Sequence, residues 1–191
     1  MGILIVYLLL IFLLLVQISV TALLILYMVS WMQSAYRGAP FVPSRRKHIK
    51  ELLIFGGIKR SDVICDLGCG DGRILISAVN DFNVTKAIGY EIAFWPYYIV
   101  CLKIRIQKLN DKISIYRKDI RTANLQGVSF VYAYLLPKIV DIVASKIEKE
   151  LSLGSKMLVL SFPINIKEHG KIRLIKSEKI GKITAYLYEK I

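Results

Sequence analysis

The sequence Val63-Ile-Cys-Asp-Leu-Gly-Cys-Gly-Asp-Gly-Arg-Ile74 determines the fold of this chain. It opens with a short, mostly apolar run, 63–67, which is typical of a buried strand. A glycine-rich turn follows, and apolar residues then recur at the spacing of a helix: Ile74, Leu75, Ala78 and Val79. A strand that passes through such a turn into a helix is the first half of a β-α-β unit. The stretch therefore predicts an open sheet with parallel strands.

The alternation of strands and helices continues to the C-terminus. We predict further strands at 87–91, 113–116, 128–132 and 156–160, helices at 95–109 and 137–151, and a closing hairpin at 172–176 and 183–188. The interval after residue 160 leaves room for a short helix or none. The pattern predicts an α/β fold, with a Rossmann-like, mostly parallel seven-strand sheet that ends in an antiparallel hairpin.

The N-terminal segment is uncharged, since residues 1–36 contain no Lys, Arg, Asp, Glu or His. Only Gln17, Ser19 and Thr21 interrupt the apolar run Ile3–Val29. About 20 apolar residues are enough for a helix to cross a bilayer. A signal peptide has a basic start and an apolar core of about 7–15 residues, and this segment fits neither description. We therefore expect a retained transmembrane anchor that contacts the lipid bilayer through residues 3–29.

The residues after the apolar run indicate its orientation. Three aromatic residues suit the membrane–water interface: Tyr27, Trp31 and Tyr36. Four basic residues follow: Arg37, Arg45, Arg46 and Lys47. Because segments rich in Lys and Arg stay on the cytoplasmic side, we expect a single-pass membrane protein with its C-terminal domain in the cytoplasm. Three cysteines without a paired framework agree with a reducing compartment.

A proline-containing segment separates the anchor from the folded domain. Pro40 and Pro43 prevent regular structure, and Ser44 is a suitable N-cap for a helix that ends near Phe55. The predicted units are an anchor (1–36), a linker (37–44) and a folded domain (45–191).

The glycine-rich turn predicts a ligand site. Gly68 and Gly70 let the backbone turn sharply and approach a ligand, and the following helix points free N–H groups at it. The spacing is Gly-x-Gly-x-Gly, not the Gly-x-Gly-x-x-Gly of dinucleotide sites. Asp66 at the end of the strand would repel a pyrophosphate, but it suits a cationic or amine-bearing ligand.

Two further acidic residues follow the next two predicted strands. Glu91 lies at the distance expected for an acid that accepts hydrogen bonds from both ribose hydroxyls. Asp119 follows the third strand, where its carboxylate can accept from an adenine amino group. S-adenosylmethionine carries an amine, a sulfonium, a ribose and an adenine, so acids at three successive strand ends predict this cofactor.

The stretch Asp66–Ile74 resembles motif I of the class I, seven-strand S-adenosylmethionine-dependent methyltransferases. Within that class the chain is similar to a small group of protein-lysine methyltransferases with membrane-associated mitochondrial members and compact archaeal members. Three more stretches carry this closer likeness: Pro40-Phe-Val-Pro-Ser44, Ala87-Ile-Gly-Tyr-Glu91 and Lys146-Ile-Glu-Lys-Glu-Leu151. The archaeal members are soluble, whereas this chain carries a predicted anchor.

The resemblance implies the site residues. The implied cofactor-binding residues are Pro43, Asp66, Gly68, Cys69, Gly70, Glu91, Asp119 and Ile120. The acceptor should enter over the ends of the fourth and fifth strands. Tyr134 is the candidate catalytic residue there, with a plain packing role as the alternative. The stretch Tyr132–Pro137 is neither the Asn/Asp-Pro-Pro-Tyr signature of enzymes that methylate nucleic-acid amino groups nor an obvious copy of the lysine-enzyme pattern.

The net charge and the cysteines limit the classes of partner and ligand that we expect. A net charge of +13 favours an anionic membrane face, an acidic protein or nucleic acid. No recognisable nucleic-acid module accompanies the basic residues, so we do not expect a nucleic-acid substrate. Cys65 and Cys69 lack the remaining ligands of a metal site, and we predict no metal.

Three functional hypotheses follow. The leading one is a membrane-anchored methyltransferase that acts on lysine side chains of a protein, with an acidic or membrane-associated protein as a suitable substrate. The second is a methyltransferase for a lipid, quinone or other small membrane-soluble acceptor. The third is a silent cofactor-binding module held at the membrane.

Overall fold

The computed structural model describes residues 2–37 and 46–191. Pro43 and the predicted N-cap Ser44 lie outside the described residues, with most of the predicted linker. The side chains of Trp31 and Tyr36, which belong to the predicted aromatic belt, lie outside them as well.

The centre of the domain is one sheet of seven strands. The strands are β1 (Val63–Leu67), β2 (Lys86–Tyr90), β3 (Ile113–Tyr116), β4 (Phe130–Ala133), β5 (Lys156–Leu160), β6 (Ile172–Ile180) and β7 (Ile183–Lys190). Their spatial order is β3-β2-β1-β4-β5-β7-β6. The first five strands run parallel, and β7 pairs antiparallel with both β5 and β6. The predicted mostly parallel sheet with a C-terminal antiparallel hairpin is confirmed.

Helices cover both faces of this sheet. They are α2 (Arg46–Gly56), α3 (Arg73–Phe82), α4 (Phe94–Ile106) and α5 (Pro137–Glu150), with a short 3-10 turn at Ile120–Thr122. Apolar residues of α2, α3 and α4 pack on one face and form the first apolar layer. Those of α5 and the 3-10 turn pack on the other face and form the second apolar layer. Successive residues of β1 alternate between the layers, Ile64 in the first and Cys65 in the second, because side chains alternate along a strand.

No described residue of the N-terminal helix α1 (Gly2–Arg37) belongs to either apolar layer. Its segment Gly2–Val29 has a mean hydropathy of 3.0, and its side chains are exposed. The segment is long and apolar enough to cross a membrane, although a signal sequence in this position would also meet that criterion.

Several predicted boundaries shift in the structure. β2 ends at Tyr90, so Glu91 follows the strand instead of ending it. β4 begins at Phe130 and not at Val128, because the Val128 N–H donates to the Leu125 carbonyl in a turn. β6 runs on to Ile180, and the described residues 161–171 contain no helix.

Candidate functional site

The candidate site lies at the carboxyl edge of β1, β2 and β3, which are neighbours in the sheet. Asp66 in β1 is in register with Gly89, and Leu67 is in register with Tyr90. Glu91 therefore emerges beside the glycine-rich turn that follows β1. The structure brings Asp66 and Glu91 to the same sheet edge, as the sequence predicts.

The glycine-rich turn is held by its backbone. The N–H groups of Gly68 and Cys69 both donate to the Tyr90 carbonyl, at 2.9 and 3.0 Å. Gly72 has a φ of 75°, and a Cβ placed on it would lie 2.2 Å from Cγ2 of Val100. Only glycine allows this close approach to α4. A Cβ on Gly68 would meet nothing nearer than 3.5 Å, so the space beside that glycine remains open.

The Asp66 carboxyl is nearly buried, with 2 % of the residue exposed. None of the described residues donates a hydrogen bond to it. Burial raises its pKa well above the ordinary value, and the charges of Glu91 and Asp71 raise the pKa further. A buried acid without a protein donor is costly unless a ligand supplies one. The Asp66 carboxyl therefore fits a ligand that brings a positively charged donor.

Glu91 locks the turn from the neighbouring strand. Its Oε2 accepts from the Gly70 N–H at 2.9 Å, and its Oε1 accepts from the Ala93 N–H at 2.7 Å. Burial raises the pKa of Glu91, and the N–H groups of Ala93 and Gly70 oppose that rise. Each carboxylate oxygen retains a second lone pair, so both can still accept from a hydroxyl. Through its hydrogen bond to the Gly70 N–H, Glu91 also positions the glycine-rich turn, which the sequence did not indicate.

An ion-pair cluster holds the glycine-rich turn against α4. Asp71 accepts from Arg73 Nε at 2.7 Å and Nη2 at 2.9 Å, and from Lys103 Nζ at 2.6 Å. Burial raises the pKa of Asp71, but these two basic groups outweigh it and lower the pKa to about 2. Sequence reasoning missed this cluster. The spacing of Asp71 and Arg73 was a visible signal, whereas the contact with Lys103 depends on how α4 packs.

The Asp119 carboxylate is hydrogen-bonded to Arg121, two residues further along the chain. It precedes the 3-10 turn and accepts from the Arg121 backbone N–H at 2.9 Å and from the Arg121 guanidinium at 2.9 and 2.6 Å. The side chain of Ile120 is buried in the second apolar layer. Both residues follow β3, the third strand of the same edge.

Cys69 points away from the open side of the turn. Its Sγ lies 2.7 Å from the position of a Cβ placed on Gly89, inside the first apolar layer. Burial raises the pKa of this thiol, and the nearby charges of Asp66 and Glu91 raise it further. Only the backbone of Cys69 is therefore placed to contact a ligand on the open side of the turn.

Tyr134 lies at the same edge on the other side of β1. Leu67 is in register with Ala133, so Tyr134 comes beside the start of the glycine-rich turn. It is half-buried and packs against the first apolar layer. The position suits an acceptor site next to the ligand.

The donor set fits S-adenosylmethionine. The unpartnered Asp66 carboxyl matches its amine, the free lone pairs of Glu91 match its ribose hydroxyls, and the open space beside Gly68 admits its chain. Among the described residues, no group of His, Cys, Asp or Glu is arranged to hold a metal ion.

The family described as the ANTKMT methyltransferase domain matches residues 66–169, more than half of the chain. The chain belongs to this family. Its matched region begins at Asp66 and includes Glu91, Asp119 and Tyr134. The chain is thus a class I methyltransferase with S-adenosylmethionine as its cofactor, which confirms the predicted enzyme class.

Named relatives agree with the family. A protein-lysine N-methyltransferase of Saccharolobus islandicus (strain REY15A) is 32 % identical over 151 residues, which are 78 % of this chain and 92 % of that enzyme. The mouse adenine nucleotide translocase lysine N-methyltransferase is 26 % identical over 65 % of this chain. A human lysine N-methyltransferase that is named for a subunit of ATP synthase is 25 % identical over 77 % of this chain. The chain spans 54 % and 60 % of the length of these two mammalian enzymes.

Solved structures agree with the fold. An RNA methyltransferase from Salinibacter ruber, in complex with S-adenosyl-L-homocysteine, superposes with a TM-score of 0.70 at 22 % identity. The match covers 78 % of this chain and 94 % of that protein. At this identity the likeness supports the class I fold and says nothing about the substrate of this chain.

Proposed function

We propose that this chain is a membrane-anchored protein-lysine methyltransferase. The carrying observation is its similarity to protein-lysine methyltransferases from an archaeon and from mammals. In the proposal, residues 3–29 cross the bilayer and the basic residues after them keep the domain in the cytoplasm. The whole unit would then work next to membrane proteins.

In this proposal the edge of β1, β2 and β3 holds the cofactor. Asp66 binds its amine, and Glu91 accepts from its ribose hydroxyls while it keeps the turn in place. When bound, S-adenosylmethionine supplies a methyl group on a sulfonium. The other proposed contacts are the backbone of Gly68, Cys69 and Gly70, the carboxylate of Asp119, and Ile120 and Pro43 beside the adenine.

Tyr134 is proposed to line the acceptor channel. A lysine amine attacks only when it is neutral, and a half-buried apolar wall lowers the pKa of an amine. Neither histidine follows β1, β2, β3 or β4 at this edge of the sheet: His48 lies on α2, where it pairs with Glu51, and His169 lies before β6, where it pairs with Glu148. We therefore assign neither of them the role of a base. The chain therefore acts by alignment and desolvation.

The proposed substrate is a membrane-associated or acidic protein. Two relatives are named for lysine methylation of an adenine nucleotide translocase and of an ATP synthase subunit. A net charge of +13 favours an acidic partner or one that lies at an anionic surface. Because α1 is apolar enough to cross a membrane, a lipid or quinone acceptor is the second candidate.

A fractionation experiment separates the two candidates. Membranes that contain the full-length protein are incubated with methyl-labelled S-adenosylmethionine and divided into protein and organic-solvent fractions. Asp66→Asn serves as the cofactor-site variant. Its matched control is Asp62→Asn at the other end of β1, where the carboxylate accepts from Lys59 N–H and Ser129 Oγ. We expect label in protein that Asp66→Asn abolishes and Asp62→Asn preserves. Label in the organic fraction would overturn the lysine assignment, and no label with intact cofactor binding would favour a silent module.

A further inference from the structure

Helix α4 exposes an unusually apolar face. Only Val100 and Ile104 of this helix are buried. Five large apolar side chains are exposed on it instead: Phe94, Tyr98, Ile99, Leu102 and Ile106. At about 100° per residue these five lie within an arc of about 140°, on the side opposite the buried pair. We call these five residues the α4 outer face.

Basic residues lie beside the α4 outer face and follow it in the sequence. The Arg117 guanidinium lies 5.1 Å from the ring centre of Phe94, and Lys118 Nζ lies 5.9 Å from that of Tyr116. Between residues 94 and 118 the sequence has six Lys or Arg residues and one acidic residue, Asp111; one of the six, Lys103, is paired with Asp71. Amphipathic rings, aliphatic side chains and a basic rim are the combination that suits the interface of an anionic bilayer.

We propose that the α4 outer face rests on the surface of an anionic lipid bilayer. This inference rests on the membrane anchor of the proposed function. If residues 3–29 span the bilayer, α1 continues about 12 Å beyond it to Arg37, and the eight residues 38–45 that lead to α2 reach at most roughly 30 Å further. The domain must then lie close to the membrane. Within the described residues, α1 and α4 also come within 8 Å of each other, measured between Cα atoms.

The charge argues for lipid over a second copy of the chain. A symmetric contact through the α4 outer face would place its basic rim against the same rim of the partner, and like charges would repel. Anionic headgroups instead meet that rim with opposite charge and attract it. The bilayer is therefore the occupant to which the surface is complementary.

The placement of α4 gives this contact a consequence for the cofactor site. α4 begins at Phe94, three residues after Glu91, so its first turn forms part of the rim of the site. A bilayer against the α4 outer face would bring that rim to the membrane surface. Acceptor side chains at the interface would then be within reach, whereas those deep in the aqueous phase would not be favoured.

Depth measurements on the full-length protein test the inference. Single cysteines at Leu13, Leu102 and Leu153 carry an environment-sensitive fluorophore in a Cys101→Ser background, since Cys65 and Cys69 are buried. Leu102 and Leu153 are matched leucines, 59 % and 76 % exposed, and Leu153 lies in the turn before β5. The protein is placed in phosphatidylcholine–phosphatidylglycerol vesicles with nitroxide-labelled lipids.

We expect blue-shifted emission and quenching by lipid at positions 13 and 102, and neither effect at position 153. Quenching at 13 with equal, unquenched emission at 102 and 153 would overturn the α4 contact and leave the anchor intact. No quenching at 13 would refute the anchor and this inference with it. A blue shift at 102 that depends on protein concentration in detergent, without lipid quenching, would assign the surface to a second copy and overturn the proposal.

Discussion

The Asp66→Asn substitution should stabilise the cofactor-free protein while it weakens cofactor binding. In the folded protein the pKa of Asp66 is raised above its ordinary value of 3.8, first by burial and then by the charges of Glu91 and Asp71. The folded state therefore holds this proton more tightly than the unfolded chain. The contribution of Asp66 to stability is therefore most favourable below pH 3.8 and becomes unfavourable as the pH rises towards the raised pKa.

The magnitude of this effect follows from linkage. Each unit by which the pKa is raised costs about 1.4 kcal/mol of stability at a pH above the raised pKa. Asparagine has nearly the same shape and removes the charge. We therefore expect Asp66→Asn to raise the melting temperature at neutral pH, by about 3–6 °C for each unit by which the pKa is raised, because a domain of this size shifts by about 2–4 °C per kcal/mol.

The same change should weaken the binding of S-adenosylmethionine. A hydrogen bond between charged partners contributes about 1.5–3 kcal/mol, which corresponds to a Kd that is about 10- to 150-fold higher. Calorimetric titration and thermal unfolding of the full-length protein in lipid nanodiscs measure both quantities. Asp62→Asn is the control and should lower stability, since its carboxylate accepts from Lys59 and Ser129, while the Kd stays unchanged. A destabilised Asp66→Asn variant with an unaltered Kd would show that Asp66 is neither a strained acid nor the group that binds the amine.

Three further predictions concern the turn and the acceptor site. Gly72→Ala and Gly154→Ala both place a side chain at positive φ, which costs about 1–2 kcal/mol. Only the Cβ at position 72 also meets Val100. We therefore expect urea unfolding to show a loss of unfolding free energy that is about 1–3 kcal/mol larger for Gly72→Ala than for Gly154→Ala. Equal losses would contradict the close packing of Gly72 on α4. The pKa of Asp71 is lowered to about 2, so Asp71→Asn should lower the unfolding free energy by about 2 kcal/mol at neutral pH. This difference between wild type and variant should vanish as the pH falls from 3.8 to about 2. An unchanged difference at pH 2 would contradict the stabilising role of the Asp71 ion pairs. Tyr134→Ala should lower kcat for the acceptor without changing the Kd of the cofactor, whereas Tyr134→Phe retains most activity; an unaltered kcat in Tyr134→Ala would leave that residue a packing role.

The sequence predicted the elements that depend on local pattern. The β1 strand and the glycine-rich turn follow from an apolar run and from glycines, and the structure has β1 at the predicted residues. The placement of Asp66 and Glu91 at one edge follows from the rule that parallel strands end together. The position of the candidate site could be predicted from these features alone.

Side-chain partners could not be predicted in the same way. The Gly70–Glu91 bond depends on the register of β1 and β2, and the Asp71–Lys103 pair depends on how α4 packs. No periodicity in the sequence encodes either contact. The ion pair between Asp119 and Arg121 is local, but an acidic residue after a strand does not by itself predict such a pair. The exposed face of α4 was also missed, because its apolar residues fit a buried helix equally well.

Amino-acid analysis of the labelled protein tests lysine methylation at the Asp66 site most directly. Membranes with the wild-type chain or with Asp66→Asn are incubated with methyl-labelled S-adenosylmethionine, and the protein fraction is hydrolysed in acid and separated. We expect label in methylated lysine for the wild type, and its loss in the variant. Label in another amino acid, or methyl-lysine that persists in Asp66→Asn, would contradict the proposed function.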